Sequence, residues 1–299
     1  MSGGVDSSVA ALLLQRQGFD VVGVTMKLYS LDQADLPDYY RGCCTVDDVE
    51  DARIVCHRLG IPHYVLNQGR TPHPCIACND KIKFNFLATR ASILDAKYVA
   101  TGHYARIENG SEGFALKKGL DAAKDQSYVL FGMGQEELGR TLLPVGGYSK
   151  EDIRQLALEA DFPNAEKPDS QDICFIPFGD YKAFLEERIT TSSGEIVDQD
   201  GEVLGQHKGI EFFTVGQRRG LGLTSTEPLF VLRVDSQANR VVVGPESALY
   251  QGQLSVSRVN YVAGQAPAGP TPVKVKIRYK FERGSGDTAP SAGRGLRGF

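Results

Sequence analysis

Apolar positions along the first 110 residues switch repeatedly between helical and strand spacing. Ser7 to Gln15 reads as a helix that stops before Gly18, and Val21 to Met26 is a short β-branched run suited to a buried strand. Asp47 to Leu59 sets Val49, Ala52, Arg53, Cys56 and Leu59 at helical intervals ahead of Gly60, and Ile61 to Leu66 returns to strand. Ile82 to Leu94 predicts a third helix and Tyr98 to Ile107 a third strand. Strands that alternate with single helices need crossover connections, which produce a parallel sheet with helices on its faces. The first part of the chain is therefore expected to be an α/β domain.

Between about 140 and 190 the pattern turns helical and less regular. SKEDIRQLALEADF opens on a serine cap with Glu and Asp in the first turn. From 203 onward EFFTVGQ, PLFVLRV, RVVVG and VKVKIRY read as short strands between Gly and Pro, as in a small β-barrel or sandwich. The final segment, GSGDTAPSAGRGLRGF, has no apolar period and is expected to be disordered. The predicted division is an α/β domain over residues 1–138, a small mainly helical region over 139–202 and a β-barrel-like domain over 203–299.

Composition narrows the classes of function. The 299 residues are 41% apolar and 23% charged, with 33 Gly and 14 Pro, as in ordinary globular proteins with many turns. The longest strong apolar run, AALLL, is far short of a membrane span, and no basic segment leads into an apolar stretch, so a cytoplasmic location without membrane partners is expected. The net charge of −4 hides an asymmetry: residues 1–205 hold 20 basic against 31 acidic side chains, residues 206–299 hold 13 against 6. A basic C-terminal region can hold a polyanion locally, although chance clustering explains the charge pattern equally well. The six cysteines, at 43, 44, 56, 75, 78 and 174, sit in a chain large enough to have its own core, which favours chemistry or burial over a disulfide framework.

The strongest local signal is Ser2-Gly3-Gly4-Val5-Asp6-Ser7-Ser8. Two glycines admit a close backbone approach, hydroxyls and amides face the ligand, and the helix that follows presents its positive end, which together make a phosphate cradle. The stretch lacks both the Lys-Ser/Thr ending of a Walker loop and the glycine spacing of a dinucleotide fingerprint.

SGGVDS resembles the pyrophosphatase loop of the ATP pyrophosphatase superfamily, whose members split ATP into AMP and pyrophosphate. Further motifs narrow the resemblance: Pro72-His73-Pro74-Cys75-Ile76-Ala77-Cys78-Asn79 with Lys81-Ile82-Lys83-Phe84, then Ala100-Thr101-Gly102-His103-Tyr104, Lys124-Asp125-Gln126-Ser127-Tyr128, Asp169-Ser170-Gln171-Asp172-Ile173-Cys174-Phe175-Ile176 and Phe213-Thr214-Val215-Gly216-Gln217-Arg218-Arg219-Gly220-Leu221. Their order is similar to that of the tRNA-specific 2-thiouridylase family, over residues 2 to about 283. The resemblance implies an adenine-nucleotide alpha-hydrolase-like ATP pyrophosphatase domain at 1–138, a tRNA-recognition region carrying Cys174 at 139–202, and the β-barrel-like domain.

It also implies ATP- and Mg2+-dependent transfer of sulfur to C2 of the wobble uridine of tRNA. Cys174 would carry the sulfur as a persulfide, and Cys78 would be the nucleophile that attacks the persulfide or closes a transient disulfide with Cys174. Without the resemblance, Cys174 in its apolar run would read as a buried small hydrophobe. By matching position, Ser2 to Ser8, Met26 and Gly102 would bind ATP, and His73, Pro74 and Cys75 would line the pocket of the flipped base. His103, Lys124, Asp125, Gln126, Arg278 and Tyr279 would contact tRNA. Some family members have Asp where this chain has Cys75. With cysteine there, Cys75, Cys78 and Cys174 are also a candidate ligand set for an iron-sulfur cluster with one open iron. A cysteine desulfurase or sulfur-relay carrier is the expected sulfur donor. Cys43, Cys44 and Cys56 receive no role.

Two departures from the family pattern stand out. The phosphate loop begins at residue 2, without the strand expected before it, and GSGDTAPSAGRGLRGF replaces a further barrel strand, as if the chain were trimmed or frameshifted. Hence a competing expectation: a non-catalytic tRNA-binding or sulfur-carrier remnant of the same fold. A different ATP-dependent ligase on the same loop is disfavoured because ligases need no sulfur relay.

Overall fold

The structure, a computed structural model, describes residues 1–27, 46–67, 85–169, 186, 190–250, 252, 254–256, 259–275 and 284–288. Two units divide the chain, residues 1–179 with 258–295 and residues 180–257 with 296–299.

The first unit is built on a helix that is apolar almost all round. In α1 (Val5–Arg16) every residue from Ser8 to Leu14 is buried, as a helix enclosed by its neighbours must be. Strand β1 (Gly23–Lys27) leads through α2 (Val46–Leu59) to β2 (His63–Asn67), and the strands pair parallel from Gly23 opposite His63 to Lys27 opposite Asn67. This is the crossover unit expected from the alternating periods. Asp47 and Asp48 lie in the first turn of α2, and Gly60, at φ +66°, closes it with its N–H on His57 O while Ile61 N–H reaches Cys56 O.

Helix α3 (Asn85–Ile93) precedes β3 (Val99–Ala100), which pairs parallel with β6 (Thr141–Leu142). Between them lies a hairpin of β4 (Ala105–Gly110) and β5 (Gly113–Lys118), then the short α4 (Gln135–Gly139). The continuous strand expected over Tyr98 to Ile107 is thus broken. Thr101 N–H makes the last bond to Leu142 O, and Gly102 passes so close to α1 that the chain turns before entering the hairpin. Helix α5 (Lys150–Glu159) has the predicted serine cap: Ser149 Oγ accepts from Asp152 N at 3.1 Å and the Asp152 carboxylate accepts from Ser149 N at 3.0 Å.

One core joins Val5, Val9, Leu12 and Leu13 of α1 to Val55, Tyr104, Val145, Ile153, Ala157 and Phe162. A second gathers Ala105, Leu130, Met133 and Leu138 against Phe114 and Val262. In the same unit β11 (Thr271–Val275) pairs antiparallel with β12 (Gly284–Thr288). Residues 284–288, expected to be disordered, therefore form a strand: backbone ladder bonds need no apolar side-chain pattern.

The second unit holds a four-stranded sheet in the order β8-β7-β10-β9, formed by β7 (Gly194–Val197), β8 (Val203–His207), β9 (Phe230–Asp235) and β10 (Arg240–Gly244). β7 is parallel to β10, the other pairs are antiparallel, and Ile196, Leu221, Val231, Val241 and Val243 fill its core. The expected strand EFFTVGQ is instead a short 3-10 turn, Ile210–Phe212, followed by a loop. Gly216 at φ +83° takes the chain out of strand geometry, while Gly216 N–H and Gln217 O bond Val231. No helix among the described residues is long and apolar enough to cross a membrane.

Candidate nucleotide site

The loop between Met1 and α1 keeps its shape because two of its contacts leave no room for a side chain. Gly3 has φ +74°, and a Cβ there would lie 2.3 Å from Asp48 O and 2.6 Å from Asp48 Cα at the start of α2. Gly102 is pressed on the other side, where a Cβ would lie 2.7 Å from Asp6 C and 2.8 Å from Ser7 N. Gly4 is the N-cap, extended at φ −89° and ψ 156°, with no side-chain cap. Ser8 N–H is bonded to Gly4 O at 3.3 Å, so the amides of the first turn before it face outward, a donor set suited to phosphate oxygens. Ser2 and Ser7 hydroxyls meet at 3.1 Å, and Ser7 Oγ and Ser8 Oγ both donate to Gly4 O, at 3.0 and 3.1 Å.

Beneath the loop sits Asn164, 1% exposed, whose Nδ2 donates to Gly3 O at 2.9 Å and to Ser8 Oγ at 3.0 Å. Lys167 ties the same turn to α2 through Asp48 at 2.8 Å and Asp51 at 2.6 Å. Burial pulls the Lys167 ammonium down, but the two carboxylates outweigh it and hold its pKa above the ordinary value. An Asn164→Ala variant should lose about 1–3 kcal/mol of stability, because Gly3 O and the Ser8 hydroxyl lose a buried partner. Chemical denaturation checks this, and nucleotide binding should weaken in parallel.

Asp6, in the first turn of α1, anchors a chain of charges. Its Oδ1 accepts from Tyr104 Oη at 2.8 Å and from Lys150 Nζ at 2.6 Å. Lys150 Nζ also reaches Asp169 Oδ1 at 2.8 Å, and Asp169 Oδ2 holds Lys124 Nζ at 2.8 Å. Burial drives the Tyr104 phenol far above its usual range, and the nearby carboxylates of Asp6, Asp169 and Asp121 add to the shift, so the hydroxyl stays a proton donor to Asp6. Burial also pushes Asp169 upward, but its bonds to Lys124 and Lys150 prevail and lower it below the ordinary carboxylate range. The bond to Asp169 raises Lys124 in turn.

The structure brings together Ser2 to Ser8, Gly102 and, through Asp169 and Lys150, Lys124. Met26 lies next to the last residue of β1, the carboxyl end where parallel sheets present ligands. His103 is buried, its Nδ1 2.8 Å from Thr101 Oγ1. Asp125 and Gln126 serve the fold directly: the Asp125 carboxylate takes the N–H groups of Gly119 and Ser127, and Gln126 exchanges bonds with both backbone groups of Tyr104. Of that triplet only Lys124 extends its charge toward the Asp6 network. His73, Pro74, Cys75, Cys78, Cys174, Arg278 and Tyr279 lie outside the described residues. Cys56 is buried in α2, and burial raises its thiol pKa, as expected of an inert core cysteine.

Sequence reasoning assigned no role to Tyr104, Lys150, Asn164 or Asp169. Lys150 carried a legible signal, since it shares a helix stripe with Ile153 and Ala157, where a lysine has no place unless it is paired.

Comparison with known proteins gives two family models on this chain: one described as a tRNA methyl transferase HUP domain over residues 1–68 and 64–178, the other as a tRNA methyl transferase PRC-barrel domain over 182–245. Curated relatives are named tRNA-specific 2-thiouridylase MnmA. That of Heliobacterium modesticaldum is 46% identical over 93% of this chain and 78% of its own length. Those of Desulforamulus reducens and Halothermothrix orenii are 45% and 42% identical over 93% of this chain, and over 82% and 84% of their own lengths.

Proposed function

The chain belongs to the tRNA-specific 2-thiouridylase family, and from that membership we propose that it installs sulfur at C2 of the wobble uridine of tRNA at the expense of ATP. The observation that carries the reading is the phosphate cradle itself: an uncapped helix N-terminus whose loop admits no side chain at Gly3 or Gly102. Although the two domain models are described as methyl transferases, a phosphate cradle and paired cysteines suit ATP activation and sulfur delivery.

In this reading residues 1–138 are the ATP pyrophosphatase domain, 139–202 the central tRNA-recognition region and 203–299 the barrel-like domain, whose sheet also takes in β7 from just before residue 203. Uracil O2 attacks the α-phosphate of ATP and pyrophosphate leaves, which converts a poor leaving oxygen into AMP. The terminal sulfur of a Cys174 persulfide attacks C2 and expels AMP. The Cys78 thiolate then attacks the Cys174 sulfur, which forms a Cys78–Cys174 disulfide and releases the thiocarbonyl. An external reductant must reopen that disulfide, and a cysteine desulfurase or relay carrier must reload Cys174. Mg2+ on the phosphates would neutralise part of their charge, and the Asp6 carboxylate, in the first turn of the cradle helix, would be a ligand for it beside its bonds to Tyr104 and Lys150.

Met26 and Gly102 complete the ATP site, with His73, Pro74 and Cys75 at the base and His103, Lys124, Arg278 and Tyr279 along the tRNA, while Asp125 and Gln126 would act there by holding the backbone that presents Lys124. The test is thiolation of unmodified tRNA by purified protein with ATP, Mg2+ and a cysteine desulfurase with cysteine as the persulfide source, with and without air, alongside an iron assay. Product that needs ATP, with iron-free protein, is the expected result. Product only from iron-loaded anaerobic protein would move Cys75, Cys78 and Cys174 to a cluster. Binding of tRNA with no product would leave the non-catalytic remnant.

A further inference from the structure

An anion cradle with carboxylates around it contains a contradiction. Asp6 lies in the first turn of the helix that would hold the triphosphate, Asp169 is one lysine away, and the Asp121 carboxylate accepts the Lys150 backbone N–H at 3.1 Å. All three carboxylates bear on Tyr104 electrostatically, so they share one neighbourhood. Uncompensated, they would repel the ligand that the loop is shaped to bind.

We propose that Lys150 is a positioning residue of the ATP site: the enclosed counter-ion that neutralises Asp6 and, together with Lys124 and Arg154, Asp169, and so lets the loop accept a triphosphate. Three observations support it. The Lys150 side chain is 10% exposed, too enclosed to be a chance surface partner. Its Nζ bridges the two carboxylates at 2.6 and 2.8 Å. It also lies 5.7 Å from the centre of the Tyr104 ring, whose hydroxyl is the other donor to Asp6 Oδ1, so that oxygen is held by two donors at once. Lys150 acts through Asp6 and Asp169 and needs no contact with the reacting atoms.

The inference rests on the ATP reading and is tested by binding rather than turnover. Equilibrium binding of a non-hydrolysable ATP analogue with Mg2+ is measured by calorimetry for wild type, Lys150→Arg, Lys150→Met and Asp169→Asn, with thermal melts on each. Lys150→Met should weaken binding about 5- to 30-fold, and Lys150→Arg should restore it to within about 3-fold of wild type. Asp169→Asn should bind several-fold tighter than wild type, with the gain shrinking as salt is raised. A structural role alone would not predict tighter binding when a partly buried ion pair is broken. Should Lys150→Met fail to fold, Asp169→Asn decides by itself: unchanged or weaker binding overturns the inference. No nucleotide binding by wild type overturns this inference together with the ATP reading.

Discussion

Cys174→Ala protein should bind nucleotide and tRNA as the wild type does and transfer no sulfur, with thiolated product down on the order of 10³-fold or more. The reason is the order of the chemical steps. In the proposed route, adenylation of the uracil oxygen uses ATP and the phosphate cradle and precedes any sulfur chemistry. Removing the persulfide carrier therefore leaves pyrophosphate release in the presence of tRNA intact for the first turnover and removes everything after it. Cys78→Ala should fail differently: its Cys174 persulfide still forms, but sulfur is not released as free thiouridine because no thiolate opens the link to Cys174. Mass spectrometry of the tRNA and of the trapped protein separates the two. A Cys174→Ala enzyme that still thiolates tRNA with sulfur supplied by a cysteine desulfurase and cysteine, and no added sulfide, would sink the persulfide route.

Gly3→Ala should lower nucleotide affinity on the order of 10²- to 10³-fold and destabilise the fold. Two costs coincide at this position. The left-handed backbone at φ +74° disfavours any Cβ by about 1–2 kcal/mol. A methyl there would also be driven against the backbone of Asp48, and overpacking typically adds about 1–3 kcal/mol. Asp48 cannot give way cheaply, since it is 5% exposed and its carboxylate is held by Lys167. Gly18→Ala is the control: Gly18 has φ +85°, but nothing lies within 4 Å of its Cβ position. It should show the conformational penalty alone in a thermal melt and leave nucleotide affinity unchanged. Equal losses of affinity in the two variants would mean that the close approach of α2 to the loop is irrelevant to binding.

Much of the first unit was legible because its signals are local. A buried helix needs apolar residues at nearly every position, and VAALLL supplies them; α2 announces itself by its stripe and closing glycine, α5 by its stripe and serine cap. The errors share a cause too. Tyr98 to Ile107 has strand composition throughout, yet Gly102 must pass against Asp6 and Ser7, 96 and 95 residues away in the chain. EFFTVGQ likewise reads as a strand until Gly216 takes a positive φ and, with Gln217, bonds Val231. Composition reports what a segment prefers, and long-range packing overrides it at such points.

The sequence by itself determined the phosphate loop, the crossover order of strands and helices, and the cysteines on which the proposed chemistry rests. Each of these depends on residue types at short spacing. Only the tertiary structure decided that Lys150, Asp169 and Asn164 belong to the loop, that Gly3 and Gly102 have no room for a side chain, and that Asp125 and Gln126 are occupied with turns of the backbone. Lys150 meets Asp6 across 144 residues and Asn164 meets Gly3 across 161. Charge pairing and steric exclusion act over a few ångströms of space whatever the separation along the chain, so no local pattern records them.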